Sequence, residues 1–447
     1  MHFSKSGLYL FVFLISYSLC IPPPSHSSSP RVIPVKDPNN IIVTFGSCNA
    51  FFGDEPNDIF SRIAEQHPDL WIWLGDVAYV DLKGLPPRFG FTGEAVITQR
   101  FNNVKNNPVY SQLSNSTTVI GVWDDHDYGN NNAGKSFAQK DITQQLWLDF
   151  IEEPKDSPRR KRPGIYDSYY LGDKTKIKVI LLDVRYFKDD VSPFYVERDM
   201  LGDIQWEWLE NEFKENTAEY ILIGSGTQVL PDDRILPEVW FSSSRDRLIK
   251  LIQKYKVGGV ILLSGDVHFA EIMKHPCKER VGFELYEFTS SGLTHYVSSH
   301  VPYVHKFLER AYPNTWSNVE DKFFERNFGL MRFSFGKEKK VRLEARNYYG
   351  VLVLEKDIPY SQLVFDEKVV DNNAACVTDE SRYSRFFGHY KQALLNGEVW
   401  VYGTLAFLIL MIMILVTIIK LPFTLLFWVF NKLFRKKPVV HNKRKTE

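Results

Sequence analysis

Short apolar runs recur through the first two thirds of the chain, at residues 41–45, 70–74, 119–123, 177–182, 220–223 and 260–263. Each is brief and rich in branched or aromatic residues, which predicts buried strands. Between them, apolar residues fall at helical spacing. Ile59, Phe60 and Ile63 follow a capping Asp58, and Ile142, Leu146 and Phe150 share a face that stops before Pro154. Ile204, Trp208 and Leu209 follow Gly202, and Leu248, Leu251, Ile252 and Tyr255 form one stripe. Strand alternating with helix predicts a layered α/β fold. After about Gly282 the pattern changes to strands with short links, at residues 284–288, 330–335, 341–346 and 351–355. These are expected to form an antiparallel sheet packed against the earlier one. Residues 296–327 are aromatic-rich without a clean period, and are expected to be a loop and helix insertion near the site mouth.

The two ends follow other patterns. Residues 1–20 carry Lys5 and then an apolar run, as a signal peptide does. Residues 21–38 are a Pro/Ser linker with little to bury, and 39–356 are expected to form the folded domain. Residues 357–398 are membrane-proximal, and 399–419 are almost uninterrupted apolar sequence, about the ~20 residues a transmembrane helix needs. In the tail, 420–447, a second apolar stretch reads as interfacial, the extension of a tilted span being its other reading, and Arg435, Lys436 and Lys437 favour the cytosolic side. The expectation is a single-pass type I membrane protein whose body faces the lumen or the exterior. Lys443 and Lys445 resemble a retrieval signal of the endoplasmic reticulum, or equally a basic tail on anionic lipid. Endoplasmic reticulum and cell surface both stay open.

Among 447 residues, 54 Lys and Arg balance 54 Asp and Glu, so no bulk field draws the chain to nucleic acid. Of the cysteines, Cys20 leaves with the signal peptide and Cys48 sits among polar residues at a strand end. Cys277 and Cys376 are the natural disulfide pair in an oxidising compartment, two unpaired thiols being the other reading. Asn115-Ser116-Thr117 is a glycosylation sequon, and residues 155–163 (KDSPRRKRP) read as a solvated basic loop.

Four of the apolar runs end in clusters of potential metal ligands. They lead into Ser47-Cys48-Asn49, into Gly75-Asp76 with Tyr79, into Asp124-Asp125-His126-Asp127, and into Gly265-Asp266-Val267-His268. Ligands gather beyond the carboxyl ends of strands in such folds. A carboxylate such as Asp76 can bridge two metals. A phenol such as Tyr79, with an ordinary pKa of ~10, binds only a strongly acidic ion, which points to ferric iron. Cys48 thiolate is another strong donor, and Asn49 and Asn130 offer neutral oxygens for a hard second ion. Asp124 and Asp127 fit a role in orienting neighbours. Tyr79 as a packed aromatic, Cys48 as a buried thiol and His126 as a turn histidine are the competing readings.

The segments FGSCN, LGDVAYVD, WDDHDYGNNNAG, LLDVRYF, IGSGTQVLP, LLSGDVHFAE and ELYEFTSSGLTH, in that order, resemble the PhoD-type alkaline phosphatases of the calcineurin-like metallophosphoesterase superfamily. The resemblance covers residues 41–349. It implies an αββα four-layer sandwich and metal-dependent hydrolysis of phosphoric esters. It places Fe3+ on Cys48, Asp76 and Tyr79. Asp125, Asn130, Asp266 and His268 complete a cluster that includes Ca2+, another divalent pair being the alternative. His126 would assist the leaving group. Arg185 would face the phosphate, a structural ion pair being its other reading. The superfamily's opening Asp-x-His is replaced by Ser47-Cys48-Asn49, as in the PhoD type, and its later Gly-His-x-His pair is absent. Two other functions remain: a phosphodiesterase acting on lipid or glycan phosphodiesters, and a catalytically silent ligand-binding ectodomain.

Overall fold

The computed structural model describes residues 31–50, 59–84, 88–190, 198–231, 238–296, 322–374 and 410–412. In chain order the strands begin with β1 (Arg31–Ile33), β2 (Asn40–Gly46), β3 (Leu70–Leu74), β4 (Leu82–Lys83), β5 (Arg88–Phe89), β6 (Thr118–Val122), β7 (Asp167–Leu171) and β8 (Ile177–Leu181). They continue with β9 (Tyr220–Ser225), β10 (Val260–Ser264), β11 (Ala270–Lys274), β12 (Tyr286–Ser290), β13 (Asn327–Ser334), β14 (Lys340–Asn347) and β15 (Leu352–Pro359). The helices are α1 (Ile59–Ala64), α2 (Glu94–Lys105), α3 (Pro108–Ser116), α4 (Asp125–Tyr128), α5 (Lys140–Phe150), α6 (Gly202–Lys214) and α7 (Ser242–Lys254).

One sheet has the order β1-β7-β8-β9-β10-β12-β11, the other β15-β14-β13-β2-β3-β6. The late strands therefore do not form a sheet of their own. Tyr286–Ser290 runs parallel to β10, while β13, β14 and β15 extend the sheet of β2, β3 and β6. The reason lies in β2, which pairs β3 on one side only and would otherwise leave a row of unpaired backbone groups. Antiparallel β13 satisfies that edge from Gly329↔Phe45 to Ser334↔Asn40.

Pleat alternation explains the layering. In β3 every residue is buried, because both faces are covered. Trp71 and Trp73 point to one side, where Phe60 of α1 lies 6.1 and 5.8 Å from their rings and Tyr110 of α3 lies 5.8 Å from Trp73. Leu74 points the other way, against Gly224 of β9. Phe45 meets Phe288 edge-on at 4.9 Å, and Tyr220 meets Phe333 at 5.0 Å, so the two sheets face each other. On the far side of the first sheet, Lys178 of β8 donates to the Glu212 carbonyl of α6 at 2.8 Å, and α7 lies beside α6. Helix, sheet, sheet and helix follow in order, a mixed α/β architecture.

Several expectations change. Arg31–Ile33, inside the expected linker, is a strand parallel to β7. The folded body also runs past residue 356, since Gly259 donates to the Leu363 carbonyl and Asp366 to that of Gly282. The basic loop is not simply solvated. Arg159 is 2 % exposed, with donors on the carbonyls of Gly121 (3.1 Å) and Ile165 (2.6 Å), because a guanidinium fork can satisfy several buried acceptors. Cys277 is in a disulfide; its expected partner Cys376 lies outside the described residues. No helix among the described residues is long and apolar enough to cross a membrane. Apart from the helical residues 410–412, the expected span 399–419 lies outside them, as do the signal segment, the whole tail and residues 297–321 of the expected insertion.

Candidate metal centre

The carboxyl ends of β2, β3 and β6 in one sheet and of β10 and β12 in the other meet at a common seam. Backbone bonds tie the loops there. Asn49 donates to the Asp76 carbonyl at 2.7 Å, Gly265 to that of Gly226 at 2.9 Å, and His295 to that of Cys48 at 3.0 Å. Two glycines are required by space. Gly75, with φ 90°, would place a Cβ 2.3 Å from the Asp124 Cβ. A Cβ on Gly265 would lie 2.5 Å from the Leu74 carbonyl oxygen and 2.6 Å from Ser47 Oγ.

The seam gathers the strand-end residues. Ligand atoms of Cys48, Asp76 and His268 lie within 4.8 Å of one another, as do those of Asp76, Asp125 and His126, and those of Asp124, Asp125 and Asp266. Asp76 and Asp125 each belong to two groups, so the three form one chain of donors. Tyr79 joins through its hydroxyl, 3.1 Å from His268 Nε2 and 2.8 Å from His295 Nδ1. Five of these side chains hang on left-handed backbone: Cys48 (φ 61°), Asp76 (54°), Tyr79 (41°), Asp266 (72°) and His268 (64°). For residues with a Cβ that conformation is strained, and it clusters at functional sites.

The electrostatics fit a cation. Burial pushes the Asp76 carboxyl well up, with Asp125, Asp124 and Asp127 adding to it and His126 opposing. Burial likewise lifts Cys48 and Tyr79, each helped by Asp76, and lifts Asp266, helped by Asp124 and Asp125. Burial, with His295 and His126 nearby, pulls His268 down to the neutral imidazole that ligates metals. Asp124 Oδ2 is fully buried with no hydrogen-bond partner among the described residues. Thiol, carboxylate, phenol and imidazole donors that cannot all ionise together without a counter-charge fit a metal pair.

His126 is held from behind. Its Nδ1 lies 2.9 and 3.1 Å from the two oxygens of Asp81, a carboxylate with no exposure. Nδ1–H therefore donates to Asp81, and Nε2 faces away from it. Burial opposes charge on the ring, but Asp125, Asp76 and Asp81 outweigh it and lift the imidazolium to about 11. Asp127 shapes the neighbouring turn, its Oδ1 accepting from the N–H groups of Val77 (2.9 Å) and Ala78 (3.3 Å).

Arg185 and Asn130 lie beside these donors. Arg185 has no exposure; its Nε donates to Asp124 Oδ1 at 2.5 Å, Nη1 pairs with Glu238, and Nη2 donates to Thr227 at 3.2 Å. All three nitrogens meet protein groups, and the side chain forms buried ion pairs with Asp124 and Glu238. Asn130 is half-buried just beyond α4, its N–H on the Asp125 carbonyl at 3.3 Å. The N–H groups of Asn132 (2.7 Å) and His126 (2.9 Å) both donate to the Asp125 carboxylate.

Three residues went unassigned from sequence: Asp81, His295 and Ser291. Ser291 Oγ accepts the His268 N–H at 2.6 Å and lies 3.6 Å from Cys48 Sγ. Asp81 closes the segment LGDVAYVD, and Ser291 and His295 fall within ELYEFTSSGLTH, so segment membership was the available signal.

The family model for PhoD-like phosphatases matches residues 43–342. No curated protein matches the chain. Among solved structures, PhoD superposes with a TM-score of 0.57 at 15% identity, covering 81% of this chain and 79% of that one. A 5'-nucleotidase precursor from Thermus thermophilus gives a TM-score of 0.30 at 11% identity, covering 81% and 59%. Strand-end donors, a seam between two sheets and a match across most of the folded body agree: the chain belongs to the PhoD-like phosphatase family, metal-dependent phosphoesterases that act on phosphate esters.

Proposed function

We propose that this chain hydrolyses phosphoric esters in the manner of an alkaline phosphatase, with ferric iron on Cys48, Asp76 and Tyr79 and calcium within the set Asp125, Asn130, Asp266 and His268. The observation that carries this reading is the unbroken chain of donors through Asp76 and Asp125. When bound, the metals supply Lewis acidity and an activated water at phosphorus. The protein's own groups do the rest. His126, its Nδ1 fixed by Asp81, presents Nε2 to the leaving oxygen and gives it a proton. Arg185 holds Asp124 in place rather than touching phosphate. Lys83 and Arg88 face each other across the β4–β5 hairpin, exposed and without a carboxylate partner among the described residues, and would attract an anionic substrate.

The same reading puts the body in the lumen or outside the cell, anchored by residues 399–419, with residues 420–447 in the cytosol. The Cys277 disulfide supports an oxidising compartment, and Asn115 of the sequon is exposed at the end of α3. The test is turnover of an aryl phosphate and its bis-aryl ester by full-length protein, with metal content measured on the same sample. Monoester hydrolysis that vanishes on chelation and returns with iron and calcium supports the reading. Bis-ester hydrolysis alone makes the protein a phosphodiesterase, and metal binding without turnover of either makes it a silent ectodomain.

A further inference from the structure

We infer that Phe89, with the cavity lined by Leu82 beside it, forms a leaving-group subsite that selects phosphate esters of apolar alcohols. The inference rests on the phosphoric ester reading above and narrows its substrate class.

Two aromatic rings lie against His126: Tyr79 at 4.2 Å between centroids, nearly stacked, and Phe89 at 5.0 Å, tilted by 46°. Tyr79 and His126 are 4% and 7% exposed, whereas Phe89 is 48% exposed. Of the three rings, Phe89 alone faces solvent. A single exposed phenylalanine is ordinary on a protein surface. This one touches the imidazole that delivers the proton. That proton goes to the oxygen that leaves, so the group carried by that oxygen must pass close to His126. The apolar surface it meets there is the ring of Phe89.

The hairpin extends this surface. Phe89 pairs directly with Leu82 across β4 and β5, so both side chains leave the hairpin on the same face. Leu82, though not Phe89 itself, also lines a cavity of about 330 Å³, with Ala50, Ala78, Tyr79 and Val104 as its apolar wall and Arg100 and Asn103 as its polar side chains. Arg100 donates to the carbonyls of Tyr79 (2.8 Å) and Leu82 (2.7 Å), so its charge clamps the wall. Gly90 donates to the Asp81 carbonyl at 2.9 Å, tying Phe89 to the residue that orients His126. One short segment, residues 79–82, thus positions the proton donor and the apolar wall together. A sugar or glycerol leaving group would find no hydrogen-bond partner on the Phe89 ring. A ring or an alkyl chain would cover area now in water.

The test compares kcat/KM of full-length, metal-loaded protein for benzyl, octyl and ethyl phosphate, whose alcohols share a primary carbon at the ester oxygen. Unmodified protein should favour benzyl or octyl over ethyl phosphate. In Phe89→Ala that preference should fall by about tenfold, an ordinary worth for lost apolar contact in a pocket. Phe89→Leu separates the two sources of apolar surface, keeping the octyl preference if the site takes chains and losing the benzyl preference if it takes rings. A preference unchanged in Phe89→Ala, or an equal loss on all three esters, overturns the inference; the latter would mean that Phe89 only positions His126. If the unmodified protein turns over none of the three, the phosphatase reading fails separately. Binding of benzylphosphonate against ethylphosphonate then decides the subsite. Tighter binding of the benzyl compound, lost in Phe89→Ala, supports it, and equal binding rejects it.

Discussion

Replacing Arg185 with methionine removes one buried charge and leaves its partners to be counted. Glu238 keeps Lys188, whose Nζ lies 2.5 Å away, and its side chain is 13% exposed. Asp124 keeps no cation. It has no exposure, one oxygen loses the 2.5 Å bond from Nε, and the other has no partner among the described residues. The loss therefore falls on a single buried carboxylate, for which breaking a buried pair costs about 3–5 kcal/mol. The pH dependence is specific. Burial raises Asp124 and Arg185 opposes it, leaving the pKa at about 6 against an ordinary 3.8. Without Arg185 it rises further. A carboxyl whose folded pKa exceeds its unfolded value loses stability for the fold as pH climbs above the unfolded pKa. The deficit should therefore be largest near about pH 8. It should shrink toward about pH 6, where Asp124 in the unmodified protein also takes up a proton, with a slope of about 1.4 kcal/mol per pH unit. Denaturant unfolding of metal-free, full-length protein, followed by tryptophan fluorescence at both pH values, measures this. Adding Asp124→Asn should restore much of the loss, which a double-mutant cycle reads directly. A deficit below about 1 kcal/mol, or one independent of pH, would refute the assignment of cost to Asp124.

Four further outcomes are expected. Asp81→Asn should lower kcat by about 100-fold with little change in KM, since it frees the His126 ring without touching a metal donor; an unaltered kcat breaks the Asp81–His126 pairing. Tyr79→Phe should erase a visible charge-transfer band of the iron-loaded protein, whereas an iron-free, colourless and fully active unmodified enzyme rules out tyrosinate on iron. Burial, with Glu271 adding, lifts Glu287 from 4.5 to about 7, so stability should fall as pH rises across that window. Glu287→Gln should flatten a slope worth on the order of 3 kcal/mol in thermal melts, and a slope that persists assigns it to another group. Gly265→Ala should cost about 1–3 kcal/mol and reduce metal content, because its Cβ meets main-chain oxygen; undiminished metal content would show that the seam can give way.

The donors were legible because apolar runs stop abruptly at Gly-Asp or Ser-Cys, and a strand that ends in ligands has little else to do. Their grouping was not. Two sheets contribute, and alternation along a strand does not say which sheet it joins, so β12 and β13 were assigned together although they lie in different sheets. The role of Arg185 turned on Asp124 and Glu238, 61 and 53 residues away, and no local pattern encodes that pairing. His295 reaches Tyr79 across 216 residues in the same way. Helix α2 is less legible, since its buried Ile97, Phe101 and Val104 keep helical spacing but exposed Ala95 and half-buried Val96 blur the polar face.

The left-handed residues of the seam carry a consequence for selection. Glycine at Cys48, Tyr79 or His268 would relieve backbone strain of order 1–3 kcal/mol at each position, and would remove a donor each time. Mutation biased only toward stability would therefore dismantle the site first, since the repair that relaxes the chain is the same one that disarms it. A body that held no metal would have no reason to keep a thiol, a phenol and an imidazole on backbone that disfavours them. Their presence in this chain is what a site kept for metal binding would leave, legible in the main chain as well as in the side chains.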